Sequence, residues 1–457
     1  MNRYDLLRLP PVRAVLASRW PLLVIRAAAL GGYLLVVVAG WVGTPVGNRN
    51  LSVVLVWIAW WALLILLAVP LMGRAWCSIC PVPIPGEWLQ HGAVLRPPPA
   101  GRRGWSLGKR WPKVLRNTWL QNAAFVIVTL FGAVVLTQPR VTALVLALLL
   151  LAAVLTSLIF ERRAFCRHLC PVGGFIGLYS QAAPLELRVK DTALCAGHRE
   201  KTCFTGSSDG YGCPWNLFPG GMVKNVNCGL CMECVQTCPH DNIALNVRPF
   251  GADLMQPRAR RMDEAAKALI LVGSAAAYSA VMLGPWSQLK TAAYSAGSAA
   301  WWAFALVFLT LVLGVLPAAF YLAVWAGSAL TGSRRGGRQA FVRFAYSLVP
   351  LGMAAWIAFS LSFVFTNGSY FWPVLSDPMG WGWNLLGTAD VPWTPYLTGI
   401  LPPIQATVLL AGMAWSTGLT RRLAAERGPS PRSGRAAVPV ILFHLATTAV
   451  LLWLLVG

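Results

Sequence analysis

Four cysteines stand within eleven residues at the spacing C-x2-C-x2-C-x3-C-P: Cys228, Cys231, Cys234 and Cys238, with Pro239 following. At this spacing three thiolates on one tight loop can bind three irons of a [4Fe–4S] cubane, while the fourth points toward a second cluster. A zinc site is the alternative, but its ligands usually form two C-x2-C pairs a dozen or more residues apart. Four cysteines this close cannot form disulfides without strain. The run therefore predicts iron–sulphur chemistry.

This run resembles the ferredoxin family, in which the cysteine before each proline binds the cluster of the other run. Three more cysteines precede it at long gaps: Cys195, Cys203 and Cys213, the last followed by proline. The resemblance implies that Cys213 completes one cluster with Cys228, Cys231 and Cys234. It leaves Cys238, Cys195 and Cys203 for a second cluster that lacks one ligand.

The missing ligand has three interpretations. The position is empty, as in a [3Fe-4S] cluster, or it is filled by His198, since histidine replaces cysteine in Rieske centres. If it is not a ligand, His198 is an exposed loop residue. The third interpretation is that residues 195–220 are an insertion that shields a single cluster.

The composition predicts a membrane protein. Of 457 residues, 57% are hydrophobic and only 12% are charged, about half the charged share of a soluble domain. The net charge of +23 comes from basic residues in loops between apolar runs, which indicates membrane topology and not nucleic-acid binding. No nucleotide-binding loop, Rossmann fingerprint or hydrolase motif is present. Eleven cysteines with cluster spacing favour a reducing, cytoplasm-facing compartment.

Nine apolar runs are long enough to cross a bilayer. We predict spans at about 21–43, 51–72, 118–137, 141–160, 265–287, 301–326, 344–366, 398–419 and 437–456. This layout puts 33 Lys and Arg on one side of the membrane and three on the other. The positive-inside rule then predicts a cytoplasmic N-terminus and cysteine domain, with the C-terminus outside. We expect a bacterial inner-membrane protein.

A repeat accompanies the remaining cysteines. A two-span hairpin followed by Arg-Ala-aromatic-Cys and then Cys-Pro-Val occurs at 21–82 and again at 118–172. The copies share one orientation, so they are expected to sit around an axis along the membrane normal. This arrangement would gather four cysteines at the cytoplasmic membrane edge, which we call the repeat quartet: Cys77, Cys80, Cys166 and Cys170. A third cubane, a redox-active dithiol pair and a structural zinc site all fit it; a zinc ion would interrupt an electron path.

Paired Cys…Cys-Pro motifs after helix hairpins, followed by a ferredoxin domain, look like the NapH/NosR/CcoG group of membrane-bound polyferredoxins. The likeness covers about 50–245. It implies quinone-linked or respiratory electron transfer, or metal reduction during oxidase assembly. The spans after the ferredoxin domain carry no motif of that group.

The predicted protein is an all-α polytopic membrane protein with an inserted cytoplasmic ferredoxin-like domain. Its parts are a basic tail (1–20), the repeated hairpins (21–172), the [4Fe-4S] domain (173–264) and five further spans (265–457). We expect two to three clusters and an electron-transfer subunit, a quinone-linked oxidoreductase component, that works with other subunits of a membrane complex. Electrons would pass between a cytoplasmic or membrane redox partner and either a quinone or an outer-face carrier such as a cytochrome c. The alternative is an assembly or regulatory factor that reduces a metal or senses redox state.

Overall fold

The computed structural model describes residues 3–97, 104–284, 286–331, 337–426 and 431–456. The chain divides into two compact units. Unit 1 comprises Met1–Val37, Leu67–Gln121 and Leu144–Gln256, and it contains all eleven cysteines. Unit 2 comprises Val38–Leu66, Asn122–Ala143 and Pro257–Gly457.

Within the described residues, seven helices are long and apolar enough to cross a membrane. They are Arg19–Val42, Leu51–Ile79, Pro139–Ile159, Met262–Met282, Ala299–Leu330, Gly337–Ser376 and Gly434–Leu455. Each coincides with a predicted span, so the multi-pass character is confirmed at the level of length and composition.

The other two predicted spans differ from these seven. The third is the shorter apolar helix Trp119–Leu130, followed by a separate turn of helix at Gly132–Val135. The eighth is the helix Leu401–Ala425, which is long but carries buried polar residues such as Gln405 and Ser416. A total of nine spans is therefore not confirmed.

Unit 1 contains a three-stranded antiparallel sheet: β1 (Tyr4–Asp5), β2 (Leu185–Val189) and β3 (Ile243–Val247), in the order β1-β3-β2. The β1 strand comes from the N-terminal segment that the sequence suggested was only a basic tail. Its Asp5 carboxylate accepts hydrogen bonds from the backbone N–H groups of Leu7 and Leu245 at 3.0 and 3.1 Å. The segment therefore belongs to the domain that carries the cysteines.

Unit 1 also contains seven short helices: Pro10–Ala17, Ile84–His91, Ala164–His168, Pro171–Tyr179, Thr192–Gly197, Thr202–Thr205 and Glu233–Thr237. Two begin or end as their sequences dictate. Pro171 occupies the first helical position, where its missing N–H costs nothing. Helix Ile84–His91 ends at Gly92, whose positive φ of 64° is the left-handed conformation that glycine adopts readily.

A buried ion network fixes β2 and β3 to the loop that follows them. The Arg248 guanidinium lies 2.8 Å from the carboxylate of Glu186 and also contacts Asp253. Arg188 contacts the same two carboxylates at 3.2 and 3.1 Å. Removing one member of such a network would leave a buried charge without a partner, which is strongly destabilising.

Unit 2 is helical in its described residues. Some helices are divided between the two units. The helices that lie wholly in unit 2 include Met262–Met282, Ser287–Tyr294, Ala299–Leu330, Gly337–Ala345, Leu348–Asn367, Phe371–Ser376, Leu401–Ala425 and Pro431–Leu455. His444 is fully buried, and its Nε2 lies 2.9 Å from the Ser347 hydroxyl and 3.2 Å from that of Thr420. These contacts account for an intramembrane histidine by hydrogen bonds between helices.

Candidate iron–sulphur centres

The repeat quartet is brought together by two equivalent pairs of elements. Cys77 lies in the last turn of Leu51–Ile79, and Cys80 follows it. Cys166 lies in helix Ala164–His168, and Cys170 caps the next helix by accepting a hydrogen bond from the Gly173 N–H at 3.2 Å. Burial, with the nearby thiols of Cys77 and Cys170, raises the pKa of Cys80 to about 12. Burial and the other three thiols likewise raise the pKa of Cys166.

Two buried arginines join the copies crosswise. Arg74 begins the first Arg-Ala-aromatic-Cys motif, and its Nη2 donates to the backbone carbonyl of Cys166 at 3.0 Å. Arg163 begins the second motif, and its Nη1 donates to the carbonyl of Cys77 at 3.0 Å. Each repeat therefore supplies the arginine that holds the first cysteine of the other repeat.

The second arginine also forms a buried ion pair. Arg163 binds both carboxylate oxygens of Glu87, one of them at 2.8 Å from Nη2. Burial alone would raise the pKa of Glu87, but the charge and hydrogen bonds of Arg163 lower it to about 2. The pair is bidentate, which is the strongest arrangement of these groups.

The first arginine reaches into the cysteine domain. Its Nη1 donates to the backbone carbonyl of Val226 at 2.6 Å. Trp215 lies against both arginines, with its ring centroid 4.4 Å from the guanidinium carbon of Arg74 and 5.5 Å from that of Arg163. The indole is 1% exposed. The Trp215 ring of the cysteine domain thus contacts both arginines that hold the repeat quartet, in cation–π geometry.

The second group of thiols, which we call the run set, comprises Cys213, Cys228, Cys231 and Cys234. Burial raises the pKa of Cys228 and of Cys231 to about 12, and the Cys213 thiol contributes to both shifts. Burial and three thiols of this set raise the pKa of Cys234. The thiols that the ferredoxin resemblance assigns to one cluster are therefore neighbours.

The third group, which we call the short set, comprises Cys195, Cys203 and Cys238. Burial, followed by the thiols of Cys195 and Cys238, raises the pKa of Cys203 to about 11. His198 packs edge-to-face on His240, with the ring centroids 4.9 Å apart. His240 stands two residues after Cys238, so the His198 ring lies beside the loop that carries this cysteine. His240 was not predicted as a site residue, because it lies outside the cysteine motif.

The cysteine thiols form no disulfides, and some of them accept hydrogen bonds from the backbone. All eleven cysteines are free, and no group of three or more His, Cys, Asp or Glu among the described residues has the geometry to hold one metal ion. Backbone N–H groups also donate to cysteine sulphurs, from Leu217 to Cys213 and from Asn242 to Cys238, both at 3.4 Å.

Several residues beside the cysteines carry no signal in the sequence taken alone. Arg74 and Arg163 lie in the repeated Arg-Ala-aromatic-Cys motif, but the motif alone does not predict which groups they contact. Glu87, Trp215 and His91 stand in segments without a recognisable pattern, so only the fold shows that they lie beside the cysteines.

Comparison with known proteins gives two matches. Residues 53–106 and 142–190 match the 4Fe-4S binding domain family. The first segment contains Cys77 and Cys80, and the second contains Cys166 and Cys170. The matched segments cover the repeat quartet and stop before the run set, so each repeat contains a segment that is similar to the 4Fe-4S binding domain family.

The second match is to a bacterial protein. Over 94 residues the chain is 29% identical to the "Putative electron transport protein YccM" of Escherichia coli (strain K12). The alignment covers 20% of this chain and 24% of that protein, so the chain spans about a quarter of the relative's length. No solved structure matches. The NapH/NosR/CcoG subgroup is not distinguished by these matches.

Proposed function

We propose that the chain is an electron-transfer subunit of a bacterial inner membrane. The cysteine sets hold two to three clusters, with the repeat quartet and the run set each supplying four thiolates. When bound, a [4Fe–4S] cluster takes up or releases one electron. The observation that carries the proposal is the neighbouring position of thiols from both repeats, within the segments that match a 4Fe-4S binding domain. The similarity to a protein named for electron transport also supports it.

The short set supplies three thiolates to a further cluster, which needs one more ligand. We leave its fourth ligand open between an empty position and a histidine. The contact of His198 with His240 supports a histidine. The asymmetry of basic residues supports a cytoplasmic position for all three sets, and electrons would then reach other subunits of a membrane complex on that side.

A cavity in unit 1 supports a quinone as the membrane partner. Its volume is about 70 Å³, which is room for about five waters at roughly 10–15 Å³ each. Leu22 and Leu23 of the first candidate span line one part of the cavity, and Cys231 of the run set lines another. A ring with an apolar tail could therefore enter from the bilayer and stop beside a cluster ligand.

Two polar side chains supply donors for the ring oxygens. Arg26 lies within the first candidate span, where an ionisable residue is by default a functional candidate. Its Nε donates to the Ser78 carbonyl at 2.6 Å, and its side chain lines the cavity. His91 stacks on Tyr211 at 4.1 Å, and burial lowers the pKa of its imidazole. A neutral imidazole can donate or accept a proton, as quinone chemistry requires.

The outer partner is a separate proposal. Described residues of the loop 368–397 expose large aromatic side chains, among them Trp381 at 53% and Trp393 at 50%. Such a surface supports docking of an outer-face carrier such as a cytochrome c, although aromatic residues are also usual at a membrane interface.

The test uses the full chain in lipid nanodiscs. The clusters are reduced chemically, a short-chain quinone is added under anaerobic conditions, and the loss of the reduced-cluster EPR signals is followed. We expect reoxidation by the quinone, and at least tenfold slower reoxidation in Arg26→Gln. Arg140→Gln is the matched control because this exposed arginine lies outside the cavity. Reduced clusters that the quinone leaves unchanged would contradict a quinone partner.

A further inference from the structure

Trp215 carries a buried donor without an acceptor. Its side chain is 1% exposed, and its Nε1 has no hydrogen-bond partner among the described residues. No cysteine sulphur among the described residues accepts a hydrogen bond from this nitrogen. A buried N–H without a partner costs free energy, so in a native protein it needs a physical explanation.

The orphaned N–H lies at the wall of the run set. A Cβ atom built on Gly229 would stand 2.3 Å from Nε1, so this nitrogen borders the backbone between Cys228 and Cys231. Trp215 also follows Cys213 by two residues. Trp215 is therefore close in sequence to one thiol of the run set, and its indole nitrogen contacts the loop that joins two others, Cys228 and Cys231.

The ring is held in this orientation. Arg74 lies over it at 4.4 Å, Arg163 lies 5.5 Å away, and the backbone carbonyl of Trp215 accepts a hydrogen bond from Arg167 at 2.6 Å. The side chain of any residue other than glycine at position 229 would collide with the indole. The indole is therefore packed closely against the motif loop on its N–H side.

We propose that the indole N–H of Trp215 donates a hydrogen bond to a sulphur atom of the cluster held by the run set. The inference rests on the proposed function only in requiring that cluster. Hydrogen bonds to cluster sulphurs help to set the reduction potential. A reduced cluster carries one more negative charge and accepts such a bond more strongly, so Trp215 favours the reduced state.

The direct test is pulsed EPR on the reduced full-length protein, grown with tryptophan labelled with ¹⁵N in the indole. We expect one ¹⁵N hyperfine coupling on the run-set signal, and its loss in Trp215→Phe. This readout reports contact with the cluster and does not depend on electron-transfer activity. A reduced run-set cluster without an indole ¹⁵N coupling would overturn the inference.

A redox titration of the same variant gives an independent measurement. We expect the reduction equilibrium of the run-set cluster in Trp215→Phe to become about tenfold less favourable, which is about 59 mV for one electron. The repeat-quartet cluster should change less. Trp105→Phe is the matched control because this indole is 78% exposed. An unchanged run-set potential with iron retained would contradict the inference alone, whereas wild-type protein without iron would overturn it together with the proposed function.

Discussion

Arg74 and Arg163 exchange partners between the repeats: each donates at 3.0 Å to the backbone carbonyl of the first cysteine in the other copy. This reciprocity is expected if one hairpin arose by duplication of the other and both kept the same backbone geometry. It also places two buried cations beside thiols that become thiolates on binding iron. The arginines therefore both connect the copies and offset the negative charge of an occupied site.

The first prediction concerns the geometry of these arginines. Arg74→Lys keeps the charge but replaces a planar fork that reaches two carbonyls with a single ammonium. We expect a loss of about 1.5–3 kcal/mol in stability for a lost charge-assisted bond, together with weaker retention of iron by the repeat quartet. Thermal denaturation and iron analysis measure both. Arg110→Lys, at an exposed arginine, should change neither, and equal effects in the two variants would refute the structural role.

The second prediction concerns pH. The pKa of Glu87 is lowered from 4.5 to about 2 by Arg163. A depressed carboxyl pKa contributes stability that is present above pH 4.5 and disappears as the pH falls toward 2. We expect a loss of about 3 kcal/mol across this window, at about 1.4 kcal/mol per pKa unit.

Thermal stability between pH 6 and the lowest pH that the detergent allows measures this loss. Glu87→Gln should be less stable than wild type at neutral pH, because Arg163 loses its ion pair. It should also lack this part of the pH dependence. A wild-type and a Glu87→Gln curve that run parallel through the window would mean that the ion pair does not titrate as expected.

Much of the fold could be predicted because hydrophobic length is a strong signal. Seven predicted spans correspond to candidate spans. The third and the eighth are not confirmed: the helix of the third is interrupted between Leu130 and Gly132, and that of the eighth contains the buried polar residues Gln405 and Ser416. A polar residue inside a helix depends on its packing partners, and the buried Gln405 amide donates to the Ala358 carbonyl at 2.7 Å.

The cysteine sets could also be proposed from the sequence, because motif spacing and the internal repeat are both visible in short stretches of sequence. Thiols within each of the three groups that the sequence suggests raise one another's pKa, and the run set and the short set also interact, since the Cys203 thiol raises the pKa of Cys234. Their ligation of clusters stays a prediction. The residues around them could not be predicted, because Trp215 and Glu87 reach the site only through long-range folding. The strand Tyr4–Asp5 was missed for the same reason, since its partner lies in β3.

The third prediction concerns topology. If basic residues face the cytoplasm, a cysteine-reactive or reporter label near residue 220 should be accessible only from that side. Because cluster cysteines react with such labels, a reporter fusion at residue 220 in intact cells is the safer measurement, with a fusion at the C-terminus as the opposite-side control. A reporter that is active outside at residue 220 would reverse the topology and the argument from a reducing compartment.

The fourth prediction concerns the run set. Cys228→Ser, Cys231→Ser and Cys234→Ser should each remove the same EPR signal, because each thiolate binds one iron of a single cluster. The signal of the repeat quartet should persist in all three variants. Separate signals lost in different variants would divide the run set between two centres.

The most direct measurement is the iron and acid-labile sulphide content per chain of anaerobically purified wild type, Cys77→Ser and Cys166→Ser, with EPR of each reduced protein. We predict clusters in the wild type, loss of one and the same cluster in both variants, and intact signals from the run set. Zinc without iron in the wild type would contradict the iron–sulphur assignment. Independent losses in the two variants, or unchanged iron in both, would contradict a site shared by the two repeats.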